Sequence, residues 1–387
     1  QKTLSKKYLF KTACDNFLKH KQEQVDIGQL RQSTQHTYEQ RINQRVIPYA
    51  KMIGIEKLSD IKKDSFSNYS TYYRKVGVKG KWKSETKGLA ISTINSDLTT
   101  VNELLSWCVQ QDLLEFKNWG DMGKLRDRKD YREDANPAYM PDEWEQVKNL
   151  LKDYENSEND PIKKWKNCYL KNWVYFQYHG GFRCHETRRI RLNDIEVVRK
   201  NGKVKWGVVQ VSPHTKTGKR TVIMNGNWLN AVKYHLNKGI KLRNEEIEVH
   251  NKKVEDGTIE RWRSIKTKID PLPFPPPPDT PLMANPFIKG MEPLSDERIR
   301  QQLKSLLEQL DFYKTKDYTL HSLRSTHITH ALIVRNMNIR EIADNVGNSQ
   351  SEIERTYYRL NNLLNMEKLG FFKDQINQKD SLVVSSD

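Results

Sequence analysis

The segment His321-Ser322-Leu323-Arg324 carries the clearest chemical pairing in the chain. On a helix, positions three apart share a face, so His321 and Arg324 point the same way. An arginine offers a two-pronged donor to a phosphate, and a neighbouring histidine can exchange a proton near neutral pH. A second pattern is Gly180-Gly181-Phe182-Arg183-Cys184-His185-Glu186. Two glycines permit a sharp turn that delivers Arg183 to a helix start, where unpaired N–H groups favour an anion. Glu186, three residues on, can hold the guanidinium in place. Lys216 lies in Thr215-Lys216-Thr217-Gly218-Lys219, a turn that would let its ammonium swing into a groove as a proton donor. Tyr357-Tyr358 follows Gly347-Asn348-Ser349, and a tyrosine hydroxyl can attack phosphorus covalently. Taken singly, each has an ordinary explanation: a surface His–Arg pair, a salt-bridged helix start, a solvated lysine, one tyrosine among 17.

Elements must position these groups. Residues 8–115 read as helices. Tyr8, Phe10, Ala13, Phe17 and Leu18 form a first stripe; Ser33 or Thr34 caps a second helix with Pro48 near its end; Phe66, Tyr69 and Tyr73 mark a short third. The run from Gly77 to Gly88 is a loop carrying Lys79, Lys81, Lys83 and Lys87. Ser92 caps a helix in which Ile91, Ile94, Leu98, Val101, Leu105 and Cys108 recur at three- and four-residue steps. Residues 118–136, with Lys124, Arg126, Arg128, Lys129 and Arg132, read as a basic linker, either a strap along a phosphate backbone or simply solvated.

A second domain opens near Met140, with Asp142 as a helix cap. Trp165 to Tyr178 is apolar enough to be its central helix, and an amphipathic helix spans about 184–192. Asn201-Gly202 is a hairpin signal, and strand-like runs at 208–211 and 221–224 flank the Lys216 turn. Seven of the chain's 14 prolines fall between Pro271 and Pro281. That run predicts an extended surface segment, a stiff connector or a ligand for a proline-reading module. Ser295 caps a helix holding Ile299, Leu303, Leu306, Leu307 and Leu310.

Composition narrows the function. Among 387 residues, 66 Lys and Arg against 49 Asp and Glu give a net charge of +17, which favours a polyanionic partner, above all nucleic acid. No stretch approaches the ~18–20 apolar residues of a membrane span, and the opening residues lack a signal peptide's apolar core. Cys14, Cys108, Cys168 and Cys184 form no CxxC pair. Neither a zinc site nor a disulfide framework is therefore expected, and a reducing, cytoplasmic setting is.

The ordered set Gly-Gly-Phe-Arg-x-x-Glu, a turn lysine, His-x-Leu-Arg, Gly-Asn and a tyrosine nine residues after that Asn closely resembles the catalytic domain of the tyrosine recombinases, the phage integrase family. The resemblance covers about residues 8–120 and 140–365. It implies a mainly α (α+β) fold: a helical core-binding domain at 1–117, a basic linker at 118–138, a tail at 368–387, and a catalytic domain at 139–367. That catalytic domain would hold a small antiparallel sheet and a Pro-rich insertion near 240–293. It implies that Arg183 and Arg324 clamp the scissile phosphate, Lys216 protonates the leaving 5′ oxygen, and His321 assists as acid or base. Tyr357 would attack phosphorus, giving a 3′-phosphotyrosyl link, with Glu186 orienting Arg183. The spacing selects Tyr357 over Tyr358, since adjacent helical side chains point about 100° apart. Asn348 stands where the family usually has His or Trp. Its amide can donate to a phosphate oxygen but cannot carry a proton, so reduced or context-dependent activity is expected.

The resemblance implies no metal, ATP or other cofactor, because the arginines would stabilise the developing charge and the covalent link would conserve the bond energy. The implied partners are double-stranded DNA sites, a homotetramer on two of them, and accessory factors that bend DNA or set direction; no membrane is implied. Lys79, Lys81, Lys83, Lys87, Arg126, Arg128, Lys129, Lys219 and Arg220 are expected DNA contacts. The 79–87 loop with the 124–132 linker and the Arg183–Lys216–Arg324 pocket would then form two basic surfaces closing on a duplex.

Two alternatives remain open at this point. Residues 339–353 also read as a helix-turn-helix, which would suit a regulator without catalysis, and a type IB topoisomerase-like relaxing enzyme would share the cleavage chemistry. After Tyr357, Leu360, Leu363, Leu364, Met366, Leu369, Phe371 and Phe372 are too apolar for a free end, so this tail docks on a neighbour or packs internally. Gln378 to Asp387 is expected to be disordered. The chain opens almost directly into its first helices, so it either lacks the extra arm-binding domain of many integrases or has lost it.

Overall fold

A computed structural model describes residues 8–76, 88–115, 122–125, 136–212, 219–258, 267–316 and 318–354. The chain divides into two compact units, residues 1–129 and 130–387. In the first, α1 (Phe10–Asp26), α2 (Gln32–Arg41), α3 (Ile47–Met52), α4 (Tyr69–Lys75) and α5 (Ile91–Gln110) enclose an apolar core. The stripes foreseen on α1 and α5 are its walls: Phe10, Ala13, Phe17, Ile94, Leu98, Val101, Leu105 and Cys108 are all buried. Asp97 is buried among them. It accepts from Arg45 Nε at 2.6 Å, Arg45 Nη2 at 2.8 Å and the Tyr69 hydroxyl at 3.2 Å, the kind of partnership a buried carboxylate requires.

Local details differ from expectation. Ser33 and Thr34 lie inside α2, and Ser92 lies inside α5, whose N-cap is Ala90. Pro48 does fall near the end of its helix: α2 passes without a break through a π-helical turn, Ile42–Val46, into α3, which ends at Met52. Residues 122–125, expected within a polar linker, dock on this unit instead. Met122 is buried, and the Asn95 side chain exchanges hydrogen bonds of 2.9 and 3.0 Å with the Leu125 backbone.

The second unit contains α6 (Pro141–Asn156), α7 (Pro161–Gly180) and α8 (Cys184–Arg189). A sheet of β1 (Ile195–Lys200), β2 (Lys203–Val211) and β3 (Arg220–Asn225) follows, then α9 (Gly226–Glu255), α10 (Asp296–Leu307), α11 (Leu320–Ile333) and α12 (Ile339–Val346). The sheet is an antiparallel meander in the order β1-β2-β3. Asn201 and Gly202 turn its first hairpin at φ 53° and 74°, the left-handed pair that a two-residue turn needs. The fold is thus mainly helical with one small sheet among the described residues, as expected. As foreseen, α7 is the central helix, burying Trp165, Tyr169, Leu170, Trp173, Val174 and Phe176.

At the start of α6, Glu143 rather than Asp142 closes the turn, its Oε2 accepting from the Met140 N–H at 2.8 Å. Ser295 does cap α10, accepting from the Arg298 N–H at 3.2 Å. The charged run beyond residue 240 continues α9, which spans 30 residues. The proline-rich stretch is largely exposed but is no free connector. Asn244 and Asn251 each exchange two hydrogen bonds with the backbone, of Leu272 and Ile269 respectively. Farther on, Leu282 N–H donates to Ile190 O at 2.8 Å and Leu192 N–H to Thr280 O at 3.0 Å. No described helix is long and apolar enough to cross a membrane.

One helix is unusual. α11 buries Ser322, Arg324, Ser325, Thr326, His327, Thr329 and His330. So many interior polar groups demand partners.

Candidate active site

The turn from α7 into α8 explains the two glycines. Gly181 closes α7 at φ 59°, and a Cβ there would lie 2.7 Å from the His327 ring and 2.9 Å from Val346 Cγ1; at Gly180 it would meet the Phe182 ring. The backbone can therefore press against α11 and α12 only without side chains. Phe182 is buried by this turn, and Arg183 emerges at its end.

Arg183 does not offer α8 to an anion. Glu186 fills that place, its Oε2 accepting from the Arg183 N–H at 2.9 Å and its Oε1 from Arg183 Nη1 at 3.0 Å. The same carboxylate takes a fork from Arg220, Nη1 at 3.0 Å and Nη2 at 2.7 Å. Burial alone would raise the Glu186 pKa. The Arg220 hydrogen bonds and charge, with those of Arg183, overcome it and hold the pKa at about 2. Glu186 is therefore a carboxylate at any physiological pH.

Arg324 is 1% exposed. Its Nη1 donates to Gly181 O at 2.6 Å, and its Nη2 to Val346 O at 2.7 Å and Asn348 Oδ1 at 2.9 Å. Arg183 Nη2 donates to Gly347 O at 3.0 Å and to the same Asn348 Oδ1 at 3.1 Å. The two guanidiniums thus converge on one side-chain oxygen. Both neighbours are donors only, so the amide must present its oxygen to them and direct Nδ2 elsewhere. Residue type alone suggests Asn348 as a donor to phosphate; here it is first an acceptor that joins the two arginines.

His321 begins α11 one turn before Arg324, its N–H donating to Thr319 Oγ1 at 3.1 Å. Burial, then the charges of Arg324 and Arg183, push its pKa down to about 4. At neutral pH it is an uncharged imidazole, with one nitrogen to donate and one to accept.

The segment that resembled a helix-turn-helix forms another wall of this pocket. α12 ends at Gly347, with φ 68°, which turns the Val346 and Gly347 carbonyls onto the guanidiniums. Ser349 Oγ then accepts from the Glu352 N–H at 3.2 Å in the next helical turn.

Arg183, Glu186, His321, Arg324 and Asn348 are therefore brought to one pocket. Lys216 and Tyr357 lie outside the described residues, as do Lys79, Lys81, Lys83, Lys87, Arg126, Arg128 and Lys129 and the apolar tail after Tyr357. Lys219 is exposed. Arg220, expected beside it as a DNA contact, turns inward instead, its side chain 7% exposed on Glu186. A signal for this existed in strand alternation: Arg220 shares its face with buried Val222 and Met224, whereas Thr221 and Ile223 face out. The carbonyls of Gly181, Val346 and Gly347 were not foreseen, because backbone groups leave no mark in residue type. Among the described residues, no group of three or more His, Cys, Asp or Glu could hold a metal ion.

Residues 143–363 match the family model for the phage integrase family. No curated protein matches the chain. Among solved structures, the chain is similar to the XerH site-specific recombinase bound to palindromic difH substrate in a post-cleavage complex. The identity is 13% and the TM-score 0.54, over 87% of this chain and 80% of that one. It is similar to a lambda integrase tetramer bound to a Holliday junction, at 12% identity and a TM-score of 0.53 over 88% and 77%. It is also similar to the Tn1549 transposon integrase in complex with transposon right end DNA, at 14% identity and a TM-score of 0.50 over 89% and 94%. At these identities the likeness speaks for the fold. The family model spans more than half of the chain, and the chain belongs to the phage integrase family, the tyrosine-type site-specific recombinases.

Proposed function

We propose that Arg183 and Arg324 grip the non-bridging oxygens of a scissile DNA phosphate while Tyr357 attacks phosphorus. The observation that carries this reading is the convergence of both guanidiniums on Asn348 Oδ1. Donors already directed at one oxygen need little rearrangement to hold the charge that develops on phosphorus. In the forward step, the tyrosine oxygen forms a bond to phosphorus and the phosphorus–O5′ bond breaks. Lys216 delivers a proton to O5′, leaving a 5′ hydroxyl and a 3′-phosphotyrosyl link. In the reverse step, a 5′ hydroxyl from the partner strand attacks the link and releases the tyrosine. His321, uncharged at neutral pH, takes the tyrosine proton in the forward step and returns it in the reverse step, when the attacking 5′ hydroxyl gives its own proton back to Lys216. Glu186 keeps Arg183 in place.

Double-stranded DNA is the substrate, and two sites joined by four copies of the chain form the working assembly, by analogy with the DNA-bound XerH and the tetrameric lambda integrase on its Holliday junction. Accessory factors that bend DNA or set direction complete it. The two-unit division supports a core-binding domain followed by a catalytic one. Lys79, Lys81, Lys83, Lys87, Arg126, Arg128, Lys129 and Lys219 supply sequence-independent grip with a steep salt dependence.

The test is covalent capture. Nicked suicide duplexes selected from a randomised library should trap an adduct with the native chain, and Tyr357→Phe should abolish it. An adduct that survives Tyr357→Phe overturns the nucleophile assignment, and a native chain that traps no duplex overturns the catalytic reading. Strand exchange between two selected sites, rather than relaxation of supercoils alone, separates a recombinase from a relaxing enzyme.

A further inference from the structure

We propose that Arg220 is a positioning residue of the phosphate clamp, acting on Arg183 through the Glu186 carboxylate. This rests on the reading that Arg183 and Arg324 hold the scissile phosphate.

The Glu186 carboxylate has no exposed surface, and Arg183 and Arg220 share it. Arg220 grips both of its oxygens with a two-pronged fork. Arg183 takes the same two oxygens through one side-chain donor and its backbone N–H. Arg183 Nη2 is thereby left to the Gly347 carbonyl and Asn348. Without the fork, the buried carboxylate loses its bidentate partner, and Arg183 becomes the nearer of its cations. Its guanidinium would be drawn toward Glu186 and away from the position it shares with Arg324. Arg220 also adds positive charge close to the clamp, in surroundings where charge is weakly screened.

Arg220 is well placed for this because β3 is anchored twice. Arg220 heads the strand opposite Val211, and three residues on, the Ile223 N–H donates to Asn345 Oδ1 at 2.9 Å. Asn345 lies in the last turn of α12, whose Val346 carbonyl and following Gly347 carbonyl receive Arg324 and Arg183. One strand therefore braces the supports of both arginines.

The experiment is single-turnover cleavage of a selected suicide duplex by Arg220→Ala and Arg220→Lys, with DNA affinity and thermal melting measured alongside. Displacement of a reacting group by about 1 Å typically costs about 10²-fold in rate. Arg220→Ala is therefore expected to cleave about 10²-fold more slowly, with affinity within about threefold of the native chain. Arg220→Lys should recover only part of that loss, since an ammonium cannot form the fork. A duplex with a methylphosphonate at the scissile position adds a readout that a purely structural role would not move. It lacks the charged oxygen that the clamp serves, so the Arg220→Ala penalty should shrink to a few-fold. Cleavage by Arg220→Ala within threefold of native overturns the proposal. So does an equal penalty on phosphate and methylphosphonate. If Arg220→Ala loses its cooperative melt, Arg220→Lys carries the same comparison. A native chain that forms no adduct defeats the catalytic reading itself, a result distinct from either.

Discussion

Replacing Asn348 by Asp would put a formal charge where Oδ1 now receives Arg183 Nη2 at 3.1 Å and Arg324 Nη2 at 2.9 Å. Two effects of opposite sign follow. At an effective dielectric of about 20, unit charges about 4 Å apart attract by about 4 kcal/mol. Desolvating the half-buried carboxylate offsets most of that, leaving a net stabilisation on the order of 1 kcal/mol. In a unit of this size that is a rise of roughly 2–4 °C in Tm. For catalysis the same charge is harmful. A carboxylate about 5 Å from the reacting phosphate opposes its growing negative charge by about 3 kcal/mol in the same dielectric, which is about two orders of magnitude in rate. Affinity should change far less, because grip on a duplex is spread over many phosphates. Asn348→Asp is therefore expected to melt higher and cleave a suicide duplex about 10²-fold more slowly, measured by thermal unfolding and single-turnover cleavage. Simple damage to the fold would lower both quantities together. A variant that melts lower yet cleaves at the native rate would refute the placement of Asn348 between the arginines. One that melts higher and cleaves normally would show that the paired guanidiniums do not serve the phosphate.

Two further outcomes follow from the same geometry. Gly181→Ala would strain a residue held at φ 59° and press its Cβ against His327 and Val346. It should destabilise the chain by about 1–3 kcal/mol in urea unfolding and slow cleavage by shifting the carbonyl that receives Arg324; unchanged stability would count against the left-handed turn at Gly181. Stability should also fall on acidification. Burial holds His179, His235 and His327 at about 3 and His321 at about 4, whereas unfolded histidines protonate near pH 6.5. Below that pH the unfolded chain binds more protons, so the stabilisation is complete above about pH 6.5 and is lost as pH drops toward the folded values. Each such histidine contributes up to about 1.4 kcal/mol per pH unit across that window. Urea midpoints that stay level from pH 7 to pH 4.5 would refute this. Glu186, held at about 2, adds to the loss only below about pH 5, where an unfolded glutamate begins to protonate while the folded one stays ionised.

Periodicity in the sequence was enough to read the helical first unit, the central helix α7 and the Asn201-Gly202 hairpin, because core burial and turn geometry act on neighbouring residues. Helix starts were read less well. Ser92 and Asp142 are good capping types, but the chain enters α5 and α6 one or two residues earlier, and tertiary packing sets that entry. The ordered arginines, histidine and tyrosine identified the family, since residue types and their order are what the sequence records. It could not show that Asn348 accepts from both arginines, that Arg324 is held by the Gly181 and Val346 carbonyls, or that Arg220 turns inward to Glu186. Those partners lie 22 to 165 residues apart. A hydrogen bond forms only where the folded chain brings donor and acceptor within about 3 Å, and that closeness is a property of the packed second unit, with α7, α11, α12 and β3 meeting around one pocket.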